Sequence, residues 1–381
     1  MTTAGRTVTR RIPMALPWIG ERERELVGQV LASDSLALGP FAAAFEADIA
    51  ERAGRRFGIS CNSGTAGLHM VVRALGIADG DEVITTPFSF VASANCLLYE
   101  RARPRFVDIE EDTLGLDPEQ VVGAGGSRTK AVLPVQVFGR PCRIDEIAAT
   151  ADANGWSLIE DSCEALGSRL GDRPLGSYGA ASVFAFYPNK QITTGEGGVV
   201  VTDDPALASM LRSLRNQGRD EDGTWLRHVR LGYNYRLDEM SAALGVAQLE
   251  RQAELMANRS RVAGVYDAAF AGHDWVKTPR VGPGETVDWF VYVIRLDPAL
   301  DRSRLMADIQ AHGVPSRPYF SPIHLQPFYQ DEFGHRPGDF PVTERIAAST
   351  LAIPFSARLS DDDARYVADV VIEAAAAQSR A

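Results

Sequence analysis

Three stretches of the chain combine residue types that could do chemistry. Lys190 stands in Phe184-Ala185-Phe186-Tyr187-Pro188-Asn189-Lys190-Gln191-Ile192-Thr193-Thr194-Gly195-Glu196-Gly197-Gly198, after an apolar run and inside a glycine-rich turn. A lysine beside buried backbone can lose its water shell and become a nucleophilic amine. It can equally lay its stem on apolar surface and keep its head in water. Asp161 closes the apolar run Ser157-Leu158-Ile159-Glu160-Asp161 and precedes Ser162-Cys163-Glu164. An acid there could cap a helix, pair with a base, ligate a metal or hold a protonated ring nitrogen. Asn62-Ser63-Gly64-Thr65-Ala66-Gly67-Leu68 opens a periodic apolar segment. A small-residue turn at a helix start offers free backbone N–H groups and a positive dipole end, which suits a phosphate. The plainer reading is an N-cap by Ser63 or Thr65. No Gly-Lys-Ser/Thr follows, so it is not a nucleotide P-loop.

Taken together the three stretches supply what pyridoxal phosphate (PLP) needs. Its phosphate must be anchored, its aldehyde held as a lysine imine, and its ring nitrogen kept protonated by an acid. An aromatic face against the ring is the usual fourth part. Phe88 and Phe90 follow the run Glu82-Val83-Ile84-Thr85-Thr86 and could serve as that face or as core.

The elements that must position these groups alternate in type. Leu68, Val71, Val72 and Leu75 mark one face of a helix, with Gly76 as its stop. Short apolar runs at Glu82–Thr86, Arg105–Asp108, Ala131–Val135, Ser157–Asp161, Ser182–Phe186 and Gly198–Thr202 read as strands separated by helices. That pattern predicts an α/β large domain, a mostly parallel sheet flanked by helices, with ligands beyond the carboxyl ends of the strands. Asp238–Met256 reads as one long helix. From about residue 255 the texture changes: Trp289–Leu296 reads as a strand and Leu305-Met306…Ile309 as a short helix closed by Gly313. Arg317–Pro341 is rich in proline, aromatics and histidine. The expected division is 1–254, a large PLP-binding domain whose N-terminal segment packs on the small one, and 255–381, a smaller α+β domain.

Composition removes other classes. The 381 residues carry 39 Lys plus Arg against 50 Asp plus Glu, a net charge of −11. No basic run is present, so nucleic acid is not expected as a partner. Cys61, Cys96, Cys142 and Cys163 form no C-x-x-C pair, and the six histidines form no H-E-x-x-H, so no metal site is expected. Scattered thiols fit a reducing compartment. No apolar run reaches the ~20 residues of a membrane span, and Pro13 and Pro17 with Glu21–Glu25 argue against a signal peptide. The expected localisation is cytoplasmic.

The motifs resemble those of the PLP-dependent sugar aminotransferases of fold type I, the DegT/StrS-like family within the aspartate aminotransferase superfamily. The resemblance runs from about Pro17 to about residue 360. It rests on Ser63-Gly64-Thr65-Ala66, Glu160-Asp161, Tyr187-Pro188-Asn189-Lys190…Gly195-Glu196-Gly197-Gly198, Gly232-Tyr233-Asn234-Tyr235-Arg236 and Arg317-Pro318-Tyr319-Phe320-Ser321-Pro322-Ile323-His324. It implies Lys190 as Schiff-base lysine and proton shuttle, and Asp161 on the pyridine nitrogen. It implies Ser63, Gly64 and Thr65 at the phosphate, Phe90 stacked on the ring, and Glu164 near the ring oxygen. Asn234 would reach the phosphate of the neighbouring subunit's cofactor, which makes a homodimer the active unit. Tyr319 and His324 would lie by the sugar. Many relatives carry Ser five residues before the lysine; here Ala185 stands there, so Ser182 or backbone would replace that donor. The substrates implied are glutamate as amino donor and a nucleotide-linked keto-6-deoxysugar. The run Lys190–Glu196 favours amination at C4 over C3. An inosose aminotransferase, a nucleotide-sugar dehydrogenase or epimerase, and a non-catalytic PLP-binding regulator are the competing readings.

Overall fold

The computed structural model describes residues 10–220, 224 and 226–379. Two helices, α1 (Glu21–Leu31) and α2 (Pro40–Arg52), precede the first strand, β1 (Phe57–Cys61). Then follow α3 (Gly64–Ala74), β2 (Glu82–Thr85), α4 (Ala92–Leu98), β3 (Arg103–Phe106), β4 (Thr129–Leu133) and β5 (Ser157–Asp161). A short hairpin, β6 (Arg169–Leu170) and β7 (Arg173–Pro174), leads to β8 (Ala181–Ala185) and β9 (Gly198–Thr202). The seven long strands form one sheet in the order β1-β9-β8-β5-β4-β2-β3. All neighbours pair in parallel except β9, which runs antiparallel to both β1 and β8. The sheet is therefore mixed but mostly parallel.

Helices on both faces bury these strands. Ile59, Val83, Ile84, Val132, Val183 and Val200 are fully buried. Each such side chain contributes roughly 1.5–3 kcal/mol of transfer free energy, enough to hold short strands of low intrinsic stability. Most strand starts fall within two residues of the pattern read from sequence. Helix α3 ends at Ala74, with Gly76 in the left-handed region (φ 71°) as the stop.

A second sheet forms the later part of the chain: β10 (Val276–Lys277), β12 (Tyr292–Leu296) and β13 (Thr350–Ile353), all antiparallel. Its core joins Val262, Tyr266, Tyr292, Ile294, Leu305, Ile309, Val367 and Val371. Ile12 enters this core, and its N–H donates to the Gly313 carbonyl at 3.1 Å. Strand β11 (Glu285–Thr286) instead pairs with β6, forming a separate three-stranded sheet with β7 that ties the later segment to the turn between β5 and β8. Among the described residues no helix is long and apolar enough to cross a membrane.

One element differs from its sequence pattern. Asp238–Met256 is not one helix: it divides into Glu239–Glu250 and Gln252–Phe270 at Arg251 (φ −112°, ψ 8°). The Arg251 guanidinium is held by Glu23 on α1 (3.1 Å) and by Glu254 (2.9 Å), and it lies over the Trp18 ring. Tertiary contacts at one residue override a run of good helix formers.

Candidate active site

The site lies beyond the carboxyl ends of β5 and β8. The chain contains only three lysines, Lys130, Lys190 and Lys277. Lys130 and Lys277 are exposed, whereas the Lys190 side chain is only 13% exposed. Its backbone sits in a loop closed on itself: Phe186 N–H donates to Gly197 O, Thr194 N–H to Phe186 O, and Lys190 N–H to Tyr187 O. Gln191 pins that loop to its surroundings by donating to Glu164 O (2.5 Å) and Asp288 O (3.0 Å). The Arg259 guanidinium comes from behind, donating to Lys190 O (2.7 Å) and Phe290 O (2.9 Å). Among the described residues it has no carboxylate partner, and burial pushes it down to about 10. The lysine's backbone is thus rigidly held, while among the described residues its amine has two weak partners. These are Glu164 Oε1 at 3.4 Å and the Phe290 ring, whose centre is 4.0 Å from Nζ.

Glu164 is buried. Burial pushes its carboxyl up, and the Lys190 charge and the Phe138 N–H (2.8 Å) offset part of that. Asp161 is 5% exposed. Its Oδ2 accepts from Ser93 Oγ at 2.7 Å and its Oδ1 from Cys163 N–H at 3.2 Å. Its neighbour Glu160 points the other way and serves structure. It accepts from Gln136 Nε2, Gly176 N–H, Tyr178 N–H and Gly179 N–H.

Ser63 caps α3: its hydroxyl oxygen accepts the Ala66 N–H at 3.1 Å. The N–H groups of Gly64 and Thr65 have no acceptor among the described residues. Close approach explains the glycines. A Cβ at Gly64 would lie 2.7 Å from Ala185 Cβ and 2.9 Å from Cys163 Sγ, and one at Gly198 would lie 2.7 Å from Ser63 O. The cradle therefore backs onto β8, β9 and the Asp161 turn. Gly64, Cys163, Asp161, Glu164 and Lys190 form one contiguous group. A paired acceptor at Asp161, a free N–H pair at the α3 start and a single, largely buried amine are the set of groups that a PLP ring, phosphate and aldehyde require.

The other sequence-derived positions divide. Phe88 is core, edge-on to Phe138 and Phe320, whereas Phe90 is 63% exposed. Tyr319 stacks on Phe138, whose N–H donates to Glu164; burial and then the Glu164 charge push its phenol up, offset by Arg317 and Asn189. Asn234 is exposed and its side chain makes no hydrogen bond among the described residues. Ser182 is a correction. It is an odd number of residues from Ala185, so it faces the opposite side of β8. Its hydroxyl donates to Ser162 Oγ (2.7 Å) and lies 3.2 Å from Glu160 O, not toward Gly64. His324 is fully buried, edge-on to Phe340 and with Nε2 3.0 Å from Glu344 Oε1, beside the apolar cluster of Ala94, Phe106, Ile323 and Tyr329. Sequence reasoning missed Ser93, Gln191, Arg259 and Phe290. The lysine count was the unused signal for Lys190; no local signal marks the other four.

Fold and site together define a fold-type I, PLP-dependent aminotransferase. The model of the DegT/DnrJ/EryC1/StrS aminotransferase family matches residues 17–372, and the chain belongs to that family of sugar aminotransferases. The GDP-perosamine synthase of Caulobacter vibrioides is 36% identical over 93% of this chain and 95% of its own length. Among solved structures, DesV of S. venezuelae is 32% identical, with TM-score 0.90 over 96% of this chain and 99% of that one. DesI, determined in the presence of its TDP-sugar product, is 33% identical, with TM-score 0.89 over 97% of this chain and 94% of that one.

Proposed function

We propose that this enzyme moves the amino group of glutamate to the C4 keto group of a nucleotide-linked keto-6-deoxysugar. When bound, PLP supplies the electron-withdrawing ring and the aldehyde that carries nitrogen between the two substrates. Lys190 Nζ would hold that aldehyde at rest and, with the donor bound, would carry the proton from the donor's α-carbon to the cofactor's C4′. Asp161 keeps the ring nitrogen protonated. Ser63, Gly64 and Thr65 receive the phosphate, and Phe90 covers a ring face. Glu164, beside the amine, accepts or shares a proton at the ring oxygen. Tyr319 borders the sugar. Asn234 completes the phosphate site of a second copy, so the active unit is a homodimer. Its exposed, unbonded side chain supports that role.

The observation that carries the reading is Lys190. It is the one shielded lysine of three, its backbone fixed on all sides and its amine left to Glu164 and Phe290. The run Lys190-Gln191-Ile192-Thr193-Thr194-Gly195-Glu196 supports the 4-keto substrate. The test is transamination from glutamate to a panel of 4-keto and 3-keto nucleotide sugars and inososes, read by mass spectrometry. The 4-amino product should dominate. A 3-amino sugar or an aminocyclitol as main product would replace the substrate assignment, and no amination of any of them would overturn it.

A further inference from the structure

Asp161 reaches for a hydroxyl on a distant helix. Ser93 lies in α4, 68 positions earlier, and is 1% exposed; its Oγ is 2.7 Å from Asp161 Oδ2. A helical serine commonly bonds back to the carbonyl four residues before it, but here the hydroxyl is directed across to β5. Ser89, 4% exposed, places its own Oγ 2.8 Å from Ser93 Oγ. The direction of this chain follows from chemistry. An ionised carboxylate only accepts, and a hydroxyl has one proton. Ser93 must therefore spend its proton on Asp161, and Ser89 must donate to Ser93. The two O–H dipoles point the same way and polarise one another toward the carboxylate. With Cys163 N–H on Oδ1 at 3.2 Å, each carboxylate oxygen has one fixed donor. The same short segment, Ser89 to Ser93, also carries Phe90.

We propose that Ser93, backed by Ser89, is a positioning residue that locks Asp161 as an acceptor toward the ring nitrogen of PLP. The proposal rests on the assignment of Asp161 to that nitrogen. It makes the segment from the loop after β2 into the first turn of α4 responsible for two walls of the coenzyme site: the stacking ring directly and the acid through Ser93.

The full-length protein, stripped of cofactor, is titrated with PLP as wild type, Ser93→Ala, Ser93→Thr, Asp161→Asn and the Ser93→Ala/Asp161→Asn double variant. Thermal unfolding of each is recorded alongside. Ser93→Ala should raise the PLP dissociation constant about tenfold, the scale of one hydrogen bond to a charged group. It should lower kcat for the glutamate half-reaction comparably while KM for glutamate stays within about twofold. Ser93→Thr should restore both. In the Asp161→Asn background the serine change should add less than about twofold, because its effect travels through the carboxylate. An equal loss in both backgrounds, or no loss in the wild-type background, overturns the proposal. If Ser93→Ala does not fold, Ser89→Ala carries the test. It should show about a two- to threefold rise in the wild-type background and none with Asp161→Asn. Failure of the wild type itself to take up PLP would instead overturn the aminotransferase reading.

Discussion

The loop Phe186–Gly197 and the segment Arg317–Phe340 both border the site, and they are held by opposite means. The first is fixed by polar groups. Its own backbone closes it, Gln191 and Arg259 grip it from outside, and the Lys190 amine at its apex meets only weak partners. The second is fixed by rings. Phe106 packs against Tyr329, Phe340 and His335, His324 lies edge-on to Phe340, and Tyr319 and Phe320 stack on Phe138. A rigid backbone under a loosely engaged head is the arrangement a reacting side chain needs. A ring packed on all sides, as His324 is, is the arrangement of a stabilising one. The comparison separates residues of similar chemical promise by what they are free to do.

The widest separation should come from Lys190→Ala. Transamination should fall by at least about four orders of magnitude, since nucleophile and proton carrier are lost together. Single-turnover assays with glutamate check this, and thermal unfolding should change little. His324→Ala should do the reverse. Losing a buried ring should cost about 2–3 kcal/mol in denaturant unfolding while kcat stays within about twofold. A large fall in kcat at unchanged stability would put His324 back among the substrate residues.

Asp288 extends the contrast to pH. Burial pushes its carboxyl up to about 6 from an ordinary 3.8. The folded state therefore binds the proton more tightly than the unfolded chain. Stability from this group is present at low pH and is lost as pH rises from about 4 through about 6. Asp288→Asn should be more stable than wild type by about 1–2 kcal/mol above pH 6 and equal to it below pH 4, as read by unfolding across that range. The smallest expected effect is at Ala185, whose Cβ backs onto Gly64. Ala185→Ser should tighten PLP binding about two- to fivefold by adding a donor beside the phosphate cradle. Unchanged or weaker binding would place residue 185 away from the phosphate.

Sequence periodicity made the central sheet legible because its strands are short, apolar and punctuated by Gly76 and Asn154-Gly155. The cradle, Asp161 and Lys190 were legible because each sits just after or before such a strand. Alternation would also have removed Ser182, which must face away from Ala185. The helix break at Arg251 was not legible: it depends on Glu23, more than two hundred residues earlier in the chain. Ser93, Arg259 and Phe290 were hidden for the same reason. Each meets its partner through the fold, and a serine in a helix or an arginine in another carries no local mark of that partner.

The central claim is that Lys190 carries the coenzyme. Reduction of the yellow holoenzyme with borohydride, followed by peptide mapping, tests it in a chain with only three lysines. The label should fall on Lys190 alone, with Lys130 and Lys277 unmodified. A label on either exposed lysine, or none on Lys190, would contradict the account.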